Sequence, residues 1–134
     1  MLILRRLQQC HALSLRLLGY FALSLDLPDD FFTALHPATL DRLRLLHYPP
    51  FEPSTEEQDV RTGAHSDYGS LTLLFQKEVG GLEVLVPKKP DALSTDVEGG
   101  EWVAAPIVEG AIIVNIGDAM VRPPYASPVV SLSA

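Results

Sequence analysis

Two side chains able to bind a metal stand two residues apart in the middle of the chain, His65 and Asp67. In an extended segment, side chains at positions i and i+2 point to the same face. The pair can therefore offer an imidazole nitrogen and a carboxylate oxygen to one ion, each at about 2.0–2.2 Å. A neutral imidazole with a carboxylate suits a divalent first-row metal.

Taken alone, this spacing is a weak signal, and three interpretations stay open. His65 and Asp67 can simply hydrogen-bond a turn at the end of a strand. They can hold zinc in a hydrolase, with water in the open positions. With a second histidine they can form the facial triad of a non-haem Fe(II) oxygenase. The single cysteine, Cys10, cannot build a thiolate metal site and is expected in an apolar core.

The elements that must position this pair follow from the hydrophobic period. Apolar residues recur at helical spacing over residues 2–25, and Pro28 with two acids begins a second, shorter helix. The period then changes to two, which predicts strands over residues 41–48, 71–76, 82–87, 102–106 and 111–116. Residues 51–60 and 88–100 are predicted loops, and 121–134 a poor strand that frays. Helices followed by short strands predict a mostly β fold with N-terminal helices.

Composition excludes several classes of protein. The net charge of −7, with 10 basic and 17 acidic residues and no basic cluster, argues against nucleic-acid binding. Arg16 interrupts the apolar N-terminal segment, so we expect no membrane span. One cysteine cannot form an internal disulfide, which predicts a reducing, cytoplasmic location.

The residues around the pair carry a family resemblance. The segment RTGAHSDYGSLTLLFQ, residues 61–76, resembles the metal-binding strand of the isopenicillin N synthase-like Fe(II)/2-oxoglutarate-dependent oxygenases. Further segments resemble other parts of that family in the same order: LRLLHYPP at 43–50, VGGLEV at 79–84, WV at 102–103 and GAIIVNIGD at 110–118.

The resemblance implies a double-stranded β-helix, or jelly roll, with Fe(II) bound by His65 and Asp67. It implies 2-oxoglutarate as co-substrate, held in part by Tyr48, and O2 acting on a small organic substrate. No catalytic side chain is assigned beyond the metal ligands. The expected organisation is a helical remnant at 1–38, a partial oxygenase domain at 39–120 and a divergent tail at 121–134.

The chain departs from the family pattern after Asp118. The family completes its triad with a downstream histidine, followed by an arginine and a serine that clamp 2-oxoglutarate, and no histidine follows His65 here. Arg122 lies before the place of the clamp. We therefore expect an incomplete jelly roll, a truncated and impaired oxygenase, and self-association through exposed sheet edges. The alternative is a non-catalytic fragment or binding module of the same family.

Overall fold

The computed structural model describes residues 2–37, 40–48, 62–88, 100–120 and 131–133. The chain divides into two compact units, Met1–His47 and Tyr48–Ala134. The predicted loop at 51–60, most of the one at 88–100, and tail residues 121–130 lie outside the described residues. The domain boundaries expected from the sequence stay a prediction.

The first unit is built on helix α1, Leu2–Ser24, which confirms the predicted N-terminal helix. The helix ends where Asp26 adopts a left-handed conformation with φ of 57°. The Leu27 N–H then donates back to the Ala22 carbonyl at 3.0 Å, which satisfies one of the last helical carbonyls. Pro28 follows and has no N–H with which to continue the helix.

The core of this unit is small. Leu18 and Ala22 of α1 are buried, as is Phe32, whose ring packs edge-to-face on Phe31 with centroids 5.1 Å apart. The second predicted helix is reduced to turns and one 3-10 helix, Thr33–Leu35. Within the described residues, no helix combines the length and hydrophobicity that crossing a membrane requires.

The strand predicted over residues 41–48 is wrong. These residues form neither helix nor strand, and all are exposed. A strand is held by hydrogen bonds to a neighbouring strand, and no described strand pairs with this segment. Alternating apolar residues therefore have no sheet face to cover here.

The second unit confirms the other predicted strands, each slightly shorter than expected. They are β1 Leu71–Leu74, β2 Glu83–Val86, β3 Glu101–Ala104 and β4 Ile113–Ile116. A fifth strand, β5 Ser131–Ser133, pairs with β2, so the prediction of a frayed tail is wrong at these residues. The tail forms a strand there because β2 offers it a free edge.

The strands form two antiparallel sheets, β1-β4 and β3-β2-β5. The β2-β3 hairpin lies in the chain between β1 and β4, so the first sheet joins segments distant in sequence. The buried apolar core of this unit consists of Leu82, Leu85 and Met120 among the described residues. The described strands are fewer than the eight of a complete jelly roll.

Candidate metal centre

The loop that carries His65 and Asp67 runs directly into β1, and the residues after β4 hold it. Leu71 pairs with Ile116, which brings residues 117–119 beside residues 67–70. Three backbone N–H groups then donate to loop carbonyls: Gly117 to Ser70 at 3.0 Å, Asp118 to Asp67 at 2.7 Å, and Ala119 to Gly69 at 3.3 Å. Hydrogen bonding between the two segments thus continues beyond the ends of β1 and β4, and it holds the loop in place.

This contact requires a glycine at position 117. A Cβ atom there would lie 2.0 Å from the carbonyl oxygen of Gly69 and 2.8 Å from that of Asp67. Both atoms belong to the backbone and cannot rotate away. Gly117 therefore allows β4 to approach the loop closely.

A side-chain hydrogen bond adds to the backbone contacts. The Ser66 hydroxyl donates to Asp118 Oδ2 at 2.9 Å, across 52 residues of sequence, in a partly buried position. Ser66 lies between the two candidate ligands. Asp118 thus bonds the loop twice, through its carboxylate at Ser66 and through its N–H at Asp67.

The His65 ring is oriented by its own loop. Its Nδ1 lies 2.9 Å from the Gly63 carbonyl oxygen, which can only accept, so Nδ1 carries the proton and donates. This tautomer leaves the lone pair on Nε2, the arrangement found in metal-bound histidines. Nε2 lies 3.8 Å from Asp67 Oδ1, too far for a hydrogen bond. Two atoms each about 2.1 Å from one ion lie about 3.0 Å apart in the cis arrangement of a facial triad, so the two side chains need to approach by less than about 1 Å to share a metal.

Asp67 supports a cation site at this place. Its Oδ2 is buried and has no hydrogen-bond partner within the described part of the chain. Buried carboxylate oxygens normally accept a hydrogen bond, so an oxygen that accepts none is available to a partner such as a cation. An imidazole nitrogen with a carboxylate also fits Fe(II), which nitrogen and oxygen ligands suit. Within the described ranges, no third histidine, cysteine, aspartate or glutamate completes the ligand group.

Tyr48 reaches the same segment through Thr62. Its phenolic oxygen lies 2.8 Å from Thr62 Oγ1, and either hydroxyl can be the donor. Thr62 precedes His65 by three residues, so this bond ties Tyr48 to the start of the loop.

A cavity in the second unit does not coincide with this centre. It has a volume of about 370 Å³ and a mainly apolar wall that includes Val84, Val103 and Ile113. His65, Asp67 and Tyr48 do not line it.

No pattern in the sequence indicated the contribution of Ser66 and Thr62 or the contacts of Gly117 and Asp118. The segment containing Gly117 and Asp118 contributed to the resemblance, but no local pattern indicated that they bond the loop. Such contacts depend on the pairing of β1 with β4.

Comparison with known proteins identifies the family. Residues 40–124 match the model of the 2OG-Fe(II) oxygenase superfamily. This match covers more than half of the chain and includes the whole loop and strands β1 to β4. The chain belongs to the 2OG-Fe(II) oxygenase superfamily, whose fold is the jelly roll.

The names of curated relatives agree with this family. The 2-oxoglutarate-Fe(II) type oxidoreductase hxnY of Emericella nidulans is 39% identical over 107 residues, which is 78% of this chain and 28% of that protein. The 2-oxoglutarate-dependent dioxygenase htyE of Aspergillus rugulosus is 37% identical over 116 residues, 86% of this chain and 32% of that protein. The chain spans about a third of the length of such curated relatives.

Solved structures give the same fold. A C-terminally truncated Neurospora crassa protein, in its apo form, aligns with a TM-score of 0.73 and 29% identity over 97% of this chain and 44% of that one. The full-length form of that protein, in complex with alpha-KG and thymine, aligns with a TM-score of 0.66. At 21% identity, over 97% of this chain and 37% of that one, the second match supports the fold alone.

Proposed function

We propose that His65 and Asp67 are two of the protein ligands of Fe(II) in an isopenicillin N synthase-like, 2-oxoglutarate-dependent dioxygenase. The observation that carries the proposal is the buried Asp67 Oδ2, which has no hydrogen-bond partner among the described residues, in a carboxylate whose other oxygen lies 3.8 Å from His65 Nε2. When bound, Fe(II) with 2-oxoglutarate supplies the oxidation of a small organic substrate by O2, with release of succinate and CO2.

Each residue has a separate task in this proposal. Gly63 accepts the Nδ1 proton of His65 in a hydrogen bond, which directs Nε2 towards the ion. Asp67 contributes a negative oxygen that offsets part of the metal charge. Tyr48 donates its phenolic proton to a carboxylate of 2-oxoglutarate in a hydrogen bond. The bond between Tyr48 and Thr62 restricts the phenol before the co-substrate arrives.

The 134 residues offer an incomplete ligand set by themselves. No histidine follows His65, and Arg122 is the one arginine after Arg61. An arginine binds a carboxylate through two parallel, charge-assisted hydrogen bonds, and the family clamp relies on such a pair. We therefore propose that this chain binds the metal and 2-oxoglutarate weakly and is impaired in turnover.

The decisive test is an anaerobic titration of the purified chain with Fe(II) and 2-oxoglutarate. We expect a saturable metal-to-ligand charge-transfer band in the visible spectrum, lost in His65→Ala. His47→Ala is the matched control, because it makes the same change at an exposed histidine. A folded wild-type chain without any band contradicts the proposal. Zinc bound in preference to iron would favour a hydrolase instead.

A second candidate function is a non-catalytic binding module of the same family. Two observations favour it: the ligand pair without a third member among the described residues, and the apolar side chains that α1 exposes. Leu2 and Leu4 are 76% and 66% exposed. This candidate predicts a protein that self-associates without turnover. Light scattering after size-exclusion chromatography, measured alongside the titration, separates the two functions.

A further inference from the structure

We propose that Asp118 is a positioning residue that holds the His65–Asp67 segment through Ser66, and so sets its affinity for the metal. This inference rests on the proposed function and assigns a task to residues that do not touch the ion. Its basis is the double attachment of one residue to the loop. Asp118 accepts from the Ser66 hydroxyl at 2.9 Å and donates its N–H to the Asp67 carbonyl at 2.7 Å.

One of the two hydrogen bonds is made by Ser66, the residue before Asp67, and the other by the Asp67 carbonyl. Ser66 stands between His65 and Asp67 in the chain, and its hydroxyl bonds the Asp118 carboxylate. With Ser66 and the Asp67 carbonyl both held, the backbone that sets the distance from His65 Nε2 to Asp67 Oδ1 has little freedom.

The chemistry of the bond suits a positioning role. A hydroxyl that donates to an ionised carboxylate makes a stronger bond than one between neutral groups. The bond is partly buried, so water competes less for the carboxylate than it does on the surface. Asp118 is placed by Gly117, whose close approach to Gly69 brings the carboxylate within reach of Ser66.

If the Ser66 hydroxyl served only to stabilise the sheet, its removal would disrupt the sheet rather than metal binding alone. The β1-β4 ladder pairs Leu71–Leu74 with Ile113–Ile116 and does not include Ser66. Removal of the Ser66 hydroxyl should thus leave the sheet in place and loosen the ligand segment alone. Loss of a partner behind the ligands of a metal typically weakens affinity by about tenfold to a hundredfold.

The experiment compares Ser66→Ala, Ser66→Thr and Asp118→Asn in the full chain. Co(II) is the probe, added anaerobically and followed by its visible d–d bands. We expect Ser66→Ala and Asp118→Asn to weaken Co(II) binding by about tenfold or more. Ser66→Thr keeps the hydroxyl and should restore wild-type affinity. Asp30→Asn removes one charge at an exposed position and controls for net charge.

A second readout needs no metal. Amide hydrogen exchange at Asp118, whose N–H bonds Asp67, should accelerate in Ser66→Ala and stay slow in Ser66→Thr. The inference is overturned if Ser66→Ala leaves both affinity and exchange unchanged, or if Ser66→Thr loses as much affinity as Ser66→Ala.

The two proposals can fail separately. If the folded wild-type chain binds no Co(II) or Fe(II), the proposed function fails. The exchange rates then decide the inference alone: faster exchange in Ser66→Ala upholds the anchoring of the segment, and unchanged exchange overturns it.

Discussion

The loop of residues 62–70, which carries His65 and Asp67, and the segment 40–48 both belong to the stretch that matches the family, yet they are held very differently. Backbone bonds from residues 117–119 and the Ser66–Asp118 bond hold the loop. Residues 40–48 are exposed along their length, and side-chain bonds join Asp41 to His11 and Tyr48 to Thr62. Local alternation is thus insufficient to order a segment as a strand, which also needs a partner strand at the right register.

The two segments also differ in where their partners come from. Residues about fifty positions later hold the loop, because β1 pairs with β4 and the β2-β3 hairpin lies between these two strands in the chain. Asp41 and Tyr48 each bond a side chain within their own unit. A side-chain bond orients a residue without ordering the backbone around it.

The largest effect should come from breaking the contact between β4 and the loop. We expect Gly117→Ala to lower the free energy of unfolding by about 3 kcal/mol, the upper part of the range for overpacking, because the new Cβ meets fixed backbone atoms. Chemical denaturation measures this change. Gly63→Ala is the control, since a Cβ there meets nothing within 4 Å. Equal stability of the two variants would show that the close approach is unimportant.

A smaller effect is expected from the ion pair of the exposed segment. His11 Nδ1 lies 2.9 Å from Asp41 Oδ2, with side chains 19% and 30% exposed. Asp41→Asn should reduce the free energy of unfolding by about 1 kcal/mol or less, because water and salt screen partly exposed pairs. Asp29→Asn, at an exposed position, should have no measurable effect. A loss as large as that of Gly117→Ala would remove the contrast between the two segments.

The smallest change in stability should follow Tyr48→Phe, which removes the exposed hydrogen bond to Thr62. We expect a loss of about 0.5 kcal/mol. Binding of 2-oxoglutarate should weaken more clearly, by about twofold to tenfold, if the phenol donates to the co-substrate. Calorimetric titration in the presence of Fe(II) measures the affinity. Tyr68→Phe is the control because that side chain is 92% exposed, and a matching loss there would count against a specific role for Tyr48.

Much of the second unit could be predicted from local patterns. Strands β1 to β4 follow from runs of β-branched and apolar residues between turn signals, such as Gly80 and Gly81 before β2. The strand predicted at residues 41–48 is wrong because a local pattern does not determine which segments pair. Alternation there resembles that of a strand, but pairing depends on residues elsewhere in the chain.

The sequence by itself determined the helix at the N-terminus, strands β1 to β4, and the residue types and spacing of His65 and Asp67. These properties depend on residue type and on neighbours within a few positions. Tertiary structure decided which segments pair, that β5 joins β2, and that Gly117 and Asp118 hold the loop. The physical reason is that hydrogen bonds between distant strands depend on register, and register reflects the packing of the whole sheet.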